Sequence, residues 1–172
     1  MKSSHAQRKL TFTATLAIFA LQSGFASAAT PPVSFYDMAL CKPPYTLASA
    51  TDAYNAAETL AKPDMSKFGS AIYKLPKPIG RDGFESNEVI IGGTMVGVLV
   101  SGQRAQELAA KYQLKPDDAA LLNTATKSYA RVLPPNLQPP AGLSGTGKVS
   151  VIARESQALP GKTILGCEFV PD

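Results

Sequence analysis

The sequence predicts an α+β domain: a mainly antiparallel sheet with about three helices packed on it and a single disulfide. Three observations predict it. Short β-branched, apolar runs bounded by glycine or proline recur through the middle and end of the chain. Between them lie apolar stripes at three- and four-residue spacing. The two kinds of segment neither alternate strictly nor segregate enough for a doubly wound sheet. The chain has 172 residues, 45% apolar and 17% charged, with 14 Pro and 13 Gly. That suffices for one domain with a real core and argues against both a disordered chain and a multidomain enzyme. No internal repeat stands out at any length.

Residues 1–28 read as a cleaved secretory signal peptide. Lys2, Arg8 and Lys9 form a basic start, Leu10 to Leu21 an apolar run, and Ala26-Ser27-Ala28 a cleavage site, which makes Ala29 the expected mature N-terminus. The apolar run is 12 residues long, short of the roughly 20 that a membrane-spanning helix requires. Residues 29–172 are expected to be a single soluble globular domain, periplasmic or extracellular, with no membrane span. Cleavage removes three basic groups and no acidic ones, leaving 14 Lys and Arg against 13 Asp and Glu. A nearly neutral chain with interspersed charges gives little support for nucleic-acid binding.

Cleavage also removes the only histidine, His5. The mature chain therefore lacks the imidazole that Ser-His-Asp and Cys-His catalysis and His-bearing zinc or copper sites require. Two cysteines cannot build a thiolate metal cage, so no cofactor and no metal are expected. Cys41 and Cys167 are expected to form one disulfide, because an exported chain meets oxidising conditions and the pair lacks redox-active C-x-x-C spacing.

In chain order, Thr30 to Tyr45 holds Pro31, Pro32, Pro43 and Pro44 and is expected to be an extended lead-in fixed by Cys41. A helix capped by Ser49 or Thr51 follows, with Ala53, Ala56, Ala57, Leu60 and Ala61 on one face, ending at Pro63. Strands are expected over Ala71–Leu75, Glu88–Ile91 and Thr94–Val100, the last apolar on both faces as in a covered central strand. Gly92-Gly93 suits a type I′ hairpin turn. Pro76, Pro78 and Gly80 to Gly83 read as a mobile or extended connection. Ala105, Leu108, Ala109 and Tyr112 predict a helix over Gln103–Gln113, and Pro116 opens a second one, running to Leu133, with Leu121, Leu122, Ala125 and Tyr129 buried. Pro134 to Gly147 reads as a long loop. Val149–Ala153 and Thr163–Val170 are the closing strands, turned at Pro160-Gly161, with Leu165, Cys167 and Phe169 on one face.

Candidate chemical sites are sparse. Gly142 to Lys148 matches the first seven positions of a phosphate-binding loop, but Val149 stands where a hydroxyl should hold magnesium. The reading preferred there is a glycine-rich loop before a strand. Ser101-Gly102-Gln103-Arg104 opens a helix, where backbone N–H groups can take an anion or be capped by Ser101. Lys74, Lys77 and Arg81 are basic, and Arg81-Asp82-Gly83 carries one acid where a calcium loop needs three. Asp82, Glu85 and Glu88, close together beside a loop, are the main candidate group for carboxylate catalysis, and Asp117-Asp118 at an expected helix start is a second pair of acids.

Two functions remain. The first is a non-enzymatic protein-interaction domain, an inhibitor, immunity or assembly-type partner of another envelope or secreted protein. It would present an edge strand or one of two proline-rich segments: Leu75, Pro76, Lys77 and Pro78, or Pro134, Pro135, Leu137, Pro139 and Pro140. The second is a small carboxylate-based hydrolase of cell-envelope glycan, acting through Asp82, Glu85 and Glu88.

Overall fold

A computed structural model describes residues 33–67, 69–118, 125–140 and 147–172. The leader, Leu121 and Leu122, and Gly142 to Thr146 lie outside the described residues. Two helices, α1 (Phe35–Ala39) and α2 (Leu47–Glu58), precede four strands: β1 (Pro63–Lys67), β2 (Ser70–Arg81), β3 (Phe84–Gly92) and β4 (Met95–Ser101). Helix α3 (Ala105–Tyr112) leads into β5 (Lys115–Pro116), β6 (Ala125–Val132), β7 (Gly147–Ser156) and β8 (Lys162–Pro171). All eight form one antiparallel sheet in the order β1-β2-β3-β4-β8-β7-β6-β5.

The mainly antiparallel sheet and the Cys41–Cys167 disulfide agree with the sequence, and the number of helices does too, although only two of the three lie where the sequence predicts them. The helices are smaller and more lightly packed than expected. Helix α2 buries only Ser49, Ala53 and Ala57, and α3 only Ala105, Leu108 and Ala109, so the sheet dominates the architecture. Every residue from Met95 to Val100 is buried. Val96, Val98 and Val100 join the cluster that the helices cover, while Met95 and Leu99 join a second cluster with Ile72, Ile90, Ile152, Leu159 and Ile164. Leu165, Cys167 and Phe169 share the helix-covered face, as the two-residue period requires.

Several local expectations are corrected. The lead-in contains α1, because prolines at 31–32 and 43–44 bar a helix from passing through them and leave room for one between. The Ser34 hydroxyl caps it by accepting from the Asp37 N–H. Helix α2 starts earlier than expected, at a capping box in which Thr46 and Ser49 bond each other's backbone N–H. The connection through Pro76 and Pro78 is part of β2, which bulges out of register with β3 between Lys74 and Ile79 and so leaves no ladder N–H for proline to supply. The type I′ turn is at Asp82-Gly83, both with positive φ (57° and 85°). In the Gly93-Thr94 turn only Gly93 has positive φ. The helix expected to run from Pro116 to Leu133 is not seen among the described residues. Pro116 lies in β5, and Ala125 and Tyr129 lie in β6, which pairs along its length with β7. Residues four apart share a face in both periods, so the Ala125–Tyr129 spacing does not distinguish helix from strand.

The sheet also contains a repeat that the sequence does not display. One row of paired residues crosses all eight strands: Pro63, Tyr73, Val89, Val98, Leu165, Ala153, Tyr129 and Pro116. It reads nearly the same from either end. A local two-fold axis through the Val98–Leu165 pair therefore relates β1–β4 to β5–β8. It also relates α2, which contacts β2, β3 and β4, to α3, which contacts β6, β7 and β8. Each unit enters its first strand on a Lys-Pro-Asp triplet, residues 62–64 and 115–117. Between equivalent positions the second unit is longer by 3, 8 and 3 residues, so no fixed period survives in the sequence. Helix α1 has no counterpart and lies on β4 and β8 near the axis.

Candidate functional site

In each unit the connection between the second and third strands reaches the helix of the other unit. On one side this contact is closed. The Asp82-Gly83 hairpin meets α3, where Tyr112 donates its hydroxyl to Asp82 (3.1 Å) and Lys111 lies 3.5 Å from the same carboxylate. The Arg104 guanidinium lies 4.6 Å above the Phe84 ring. Arg81 pairs with Asp37 of α1, and that hydrogen bond holds the Asp37 carboxyl below the usual range. Burial raises the Tyr112 phenol, and Asp82, accepting its proton, pushes it further the same way.

On the other side the contact is open. The β6–β7 connection passes the start of α2 and leaves an apolar groove of about 430 Å³. One wall is Pro43, Pro44, Thr46, Ala48, Ser49 and Asp52, and the other is Asn136 to Pro139. The second wall is held by one side chain. The Gln138 amide donates to the carbonyls of Leu133 (2.7 Å) and Val149 (3.1 Å) and accepts from the Val149 N–H (2.8 Å). That completes the strand ends as a backbone segment would, and a 3-10 turn over Pro135–Leu137 presents Leu137 at 45% exposure. The segment Pro134 to Pro140 is legible in the sequence as a candidate. Its partner wall, Pro43-Pro44, reads there only as a constraint on structure, because no local pattern shows two distant proline pairs converging.

The remaining candidates are placed as follows. Leu75 is in the core, whereas Pro76, Lys77 and Pro78 are exposed. Asp82, Glu85 and Glu88 do not converge. Asp82 is tied to α3, Glu85 is exposed, and Glu88 pairs with Lys162 on the face of Ile90. Asp117 and Glu168 each pair with the buried Arg154, which also donates to Ser128 Oγ. The start of α3 is not capped by Ser101. Arg104 N–H donates to Thr163 Oγ1 and Ala105 N–H to the buried Glu155 carboxylate, so the protein supplies the anion itself. Gly147 and Lys148 open β7. Lys74 is exposed. Among the described residues no three His, Cys, Asp or Glu side chains are grouped so as to hold a metal ion, and no helix is long and apolar enough to cross a membrane. Both outer strands carry a proline in the transverse row, Pro63 and Pro116. These remove an N–H where another strand would add and weigh against an edge strand as the binding element.

The antiparallel α+β sheet and its proline-walled groove define the class to which the chain can be assigned. Comparison with known proteins returns no match to a family model, a curated protein or a solved structure.

Proposed function

We propose that this protein is an exported, non-enzymatic interaction domain that receives an extended segment of another envelope or secreted protein in the groove between α2 and the β6–β7 connection. The observation that carries the reading is the convergence of two proline-rich stretches, remote in sequence, on one apolar groove pinned by Gln138. Walls with fixed φ lose little conformational freedom when a ligand docks. The leader-like N-terminus and the buried disulfide support export.

Cross-linked affinity capture from the native envelope tests it, comparing wild type with Leu137→Arg and with Met65→Arg on the exposed outer strand β1. Proteins captured by wild type and Met65→Arg are expected to be lost with Leu137→Arg. No reproducible capture, or an unchanged set with Leu137→Arg, overturns the reading. Fractionation should find the chain outside the cytosol beginning at Ala29. An intact cytosolic form with both thiols alkylatable overturns export.

A further inference from the structure

We infer that the groove selects a segment carrying an apolar side chain close to a lysine or arginine, the apolar group seated between Pro43-Pro44 and Leu137-Pro139 and the cation reaching Asp52. This rests on the reading of the groove as an interaction site.

Three observations fix the chemistry. Asp52 is the one charged residue among the described residues that line the groove, and it is exposed. The start of α2 would normally attract an anion, but two of the N–H groups there are already engaged. Ser49 N–H donates to Thr46 Oγ1 (3.0 Å) and Thr46 N–H to Ser49 Oγ (2.9 Å), so an acidic segment meets a carboxylate and finds those donors taken. The third observation is the closed contact across the local two-fold axis. There an acid and an apolar ring are satisfied by basic side chains, Lys111 with Asp82 and Arg104 with Phe84. The open contact offers an acid and an apolar wall, with no basic residue among the described residues that line it. At about 430 Å³ the groove falls within the roughly 300–1,000 Å³ range of ligand pockets, so it holds a short segment and not a folded domain.

The test is selection from a phage-displayed library of random dodecapeptides on the full-length wild-type protein, followed by binding of the selected peptides to Asp52→Lys, Asp52→Asn and Leu137→Arg. Position 52 is exposed, and an unchanged thermal midpoint verifies that each variant is folded. Selected peptides should combine an aliphatic or aromatic residue with lysine or arginine. They should weaken about tenfold on Asp52→Lys, less on Asp52→Asn, and lose binding on Leu137→Arg. Peptides that depend on Leu137 but are indifferent to Asp52→Lys, or are enriched in acids, overturn the inference and leave the interaction reading standing. Selection that yields no peptide dependent on Leu137 overturns it as well, and envelope capture then decides the broader reading on its own.

Discussion

Removing both cysteines together, Cys41→Ala with Cys167→Ala, tests how much of the fold depends on holding α1 over the centre of the sheet. The bond spans 126 residues. In the loop-closure treatment, cross-linking a loop of that length removes denatured-state entropy worth about 5 kcal/mol at 25 °C. Both sulfurs belong to nearly fully buried residues, Cys41 at 4% and Cys167 at 1% exposure, so alanine also loses some packing. Domains of this size are stable by roughly 5–15 kcal/mol, and the loss is a third of that or more. With a urea slope of about 2 kcal/mol/M, the unfolding midpoint should fall by about 2.5 M, with α1 released first because five helical residues cannot stand alone. The assay is urea unfolding followed by circular dichroism, run on the variant, on oxidised wild type and on wild type in reductant. Reduced wild type should match the variant. A midpoint shift below about 0.3 M, under 1 kcal/mol at that slope, would refute the argument that the bond restrains the unfolded chain.

Gly97→Ala should destabilise by roughly 1–3 kcal/mol in the same assay, since a Cβ there would stand 2.7 Å from the Leu165 carbonyl oxygen on the neighbouring strand. An unchanged midpoint would mean that β4 and β8 do not approach this closely. Tyr36→Phe should change stability by no more than about 1 kcal/mol in either direction, because the Tyr36 hydroxyl is buried beside the Tyr112 phenol without a well-formed hydrogen bond. Tyr73→Phe, which loses a 2.7 Å bond to Glu58, should be destabilising, and equal effects would contradict the assignment. Asp37 has a carboxyl lowered chiefly by Arg81, so its contribution is present above the unfolded carboxyl range and disappears as pH falls through the lowered value. Asp37→Asn should flatten the stability profile below about pH 4 by no more than about 1 kcal/mol, given its partial exposure, and an unaltered acid limb would show that the pair contributes nothing.

What the sequence revealed depended on how far each signal reached along the chain. Strand β4 and the face shared by Leu165, Cys167 and Phe169 were legible because the two-residue period is local. The Asp82-Gly83 turn was equally local, yet Pro76 and Pro78 outweighed it, and only the bulge in β2 shows how a strand passes through them. Helix and strand remained ambiguous at Ala125 and Tyr129 until β7 was seen to supply the ladder. Of the groove, one wall was readable and the other was not, because Pro43 and Leu137 meet only through the packing of α2 beside the other unit's connection. The lone signal of the repeat was the pair of Lys-Pro-Asp triplets, each followed at unequal distance by its row tyrosine.

The repeat in turn separates what the fold requires from what it tolerates. On the helix-covered face the equivalent positions are alike: Tyr73 and Tyr129, Val89 and Ala153, Val98 and Leu165. On the opposite face they differ in kind. Where the first unit has Ile72 and Ile90 paired, the second has Ser128 and Arg154, and the Asp117 that begins the second unit's sheet turns toward that guanidinium, whereas its equivalent Asp64 bonds the nearby Ser66 N–H. Removing a guanidinium and its carboxylates from water costs several kcal/mol that pairing only partly offsets, and two isoleucines occupy the same places in the first unit without that cost. The four-stranded unit therefore forms with either filling. The opposite face is thus filled by an apolar pair in one unit and by a buried, paired guanidinium in the other.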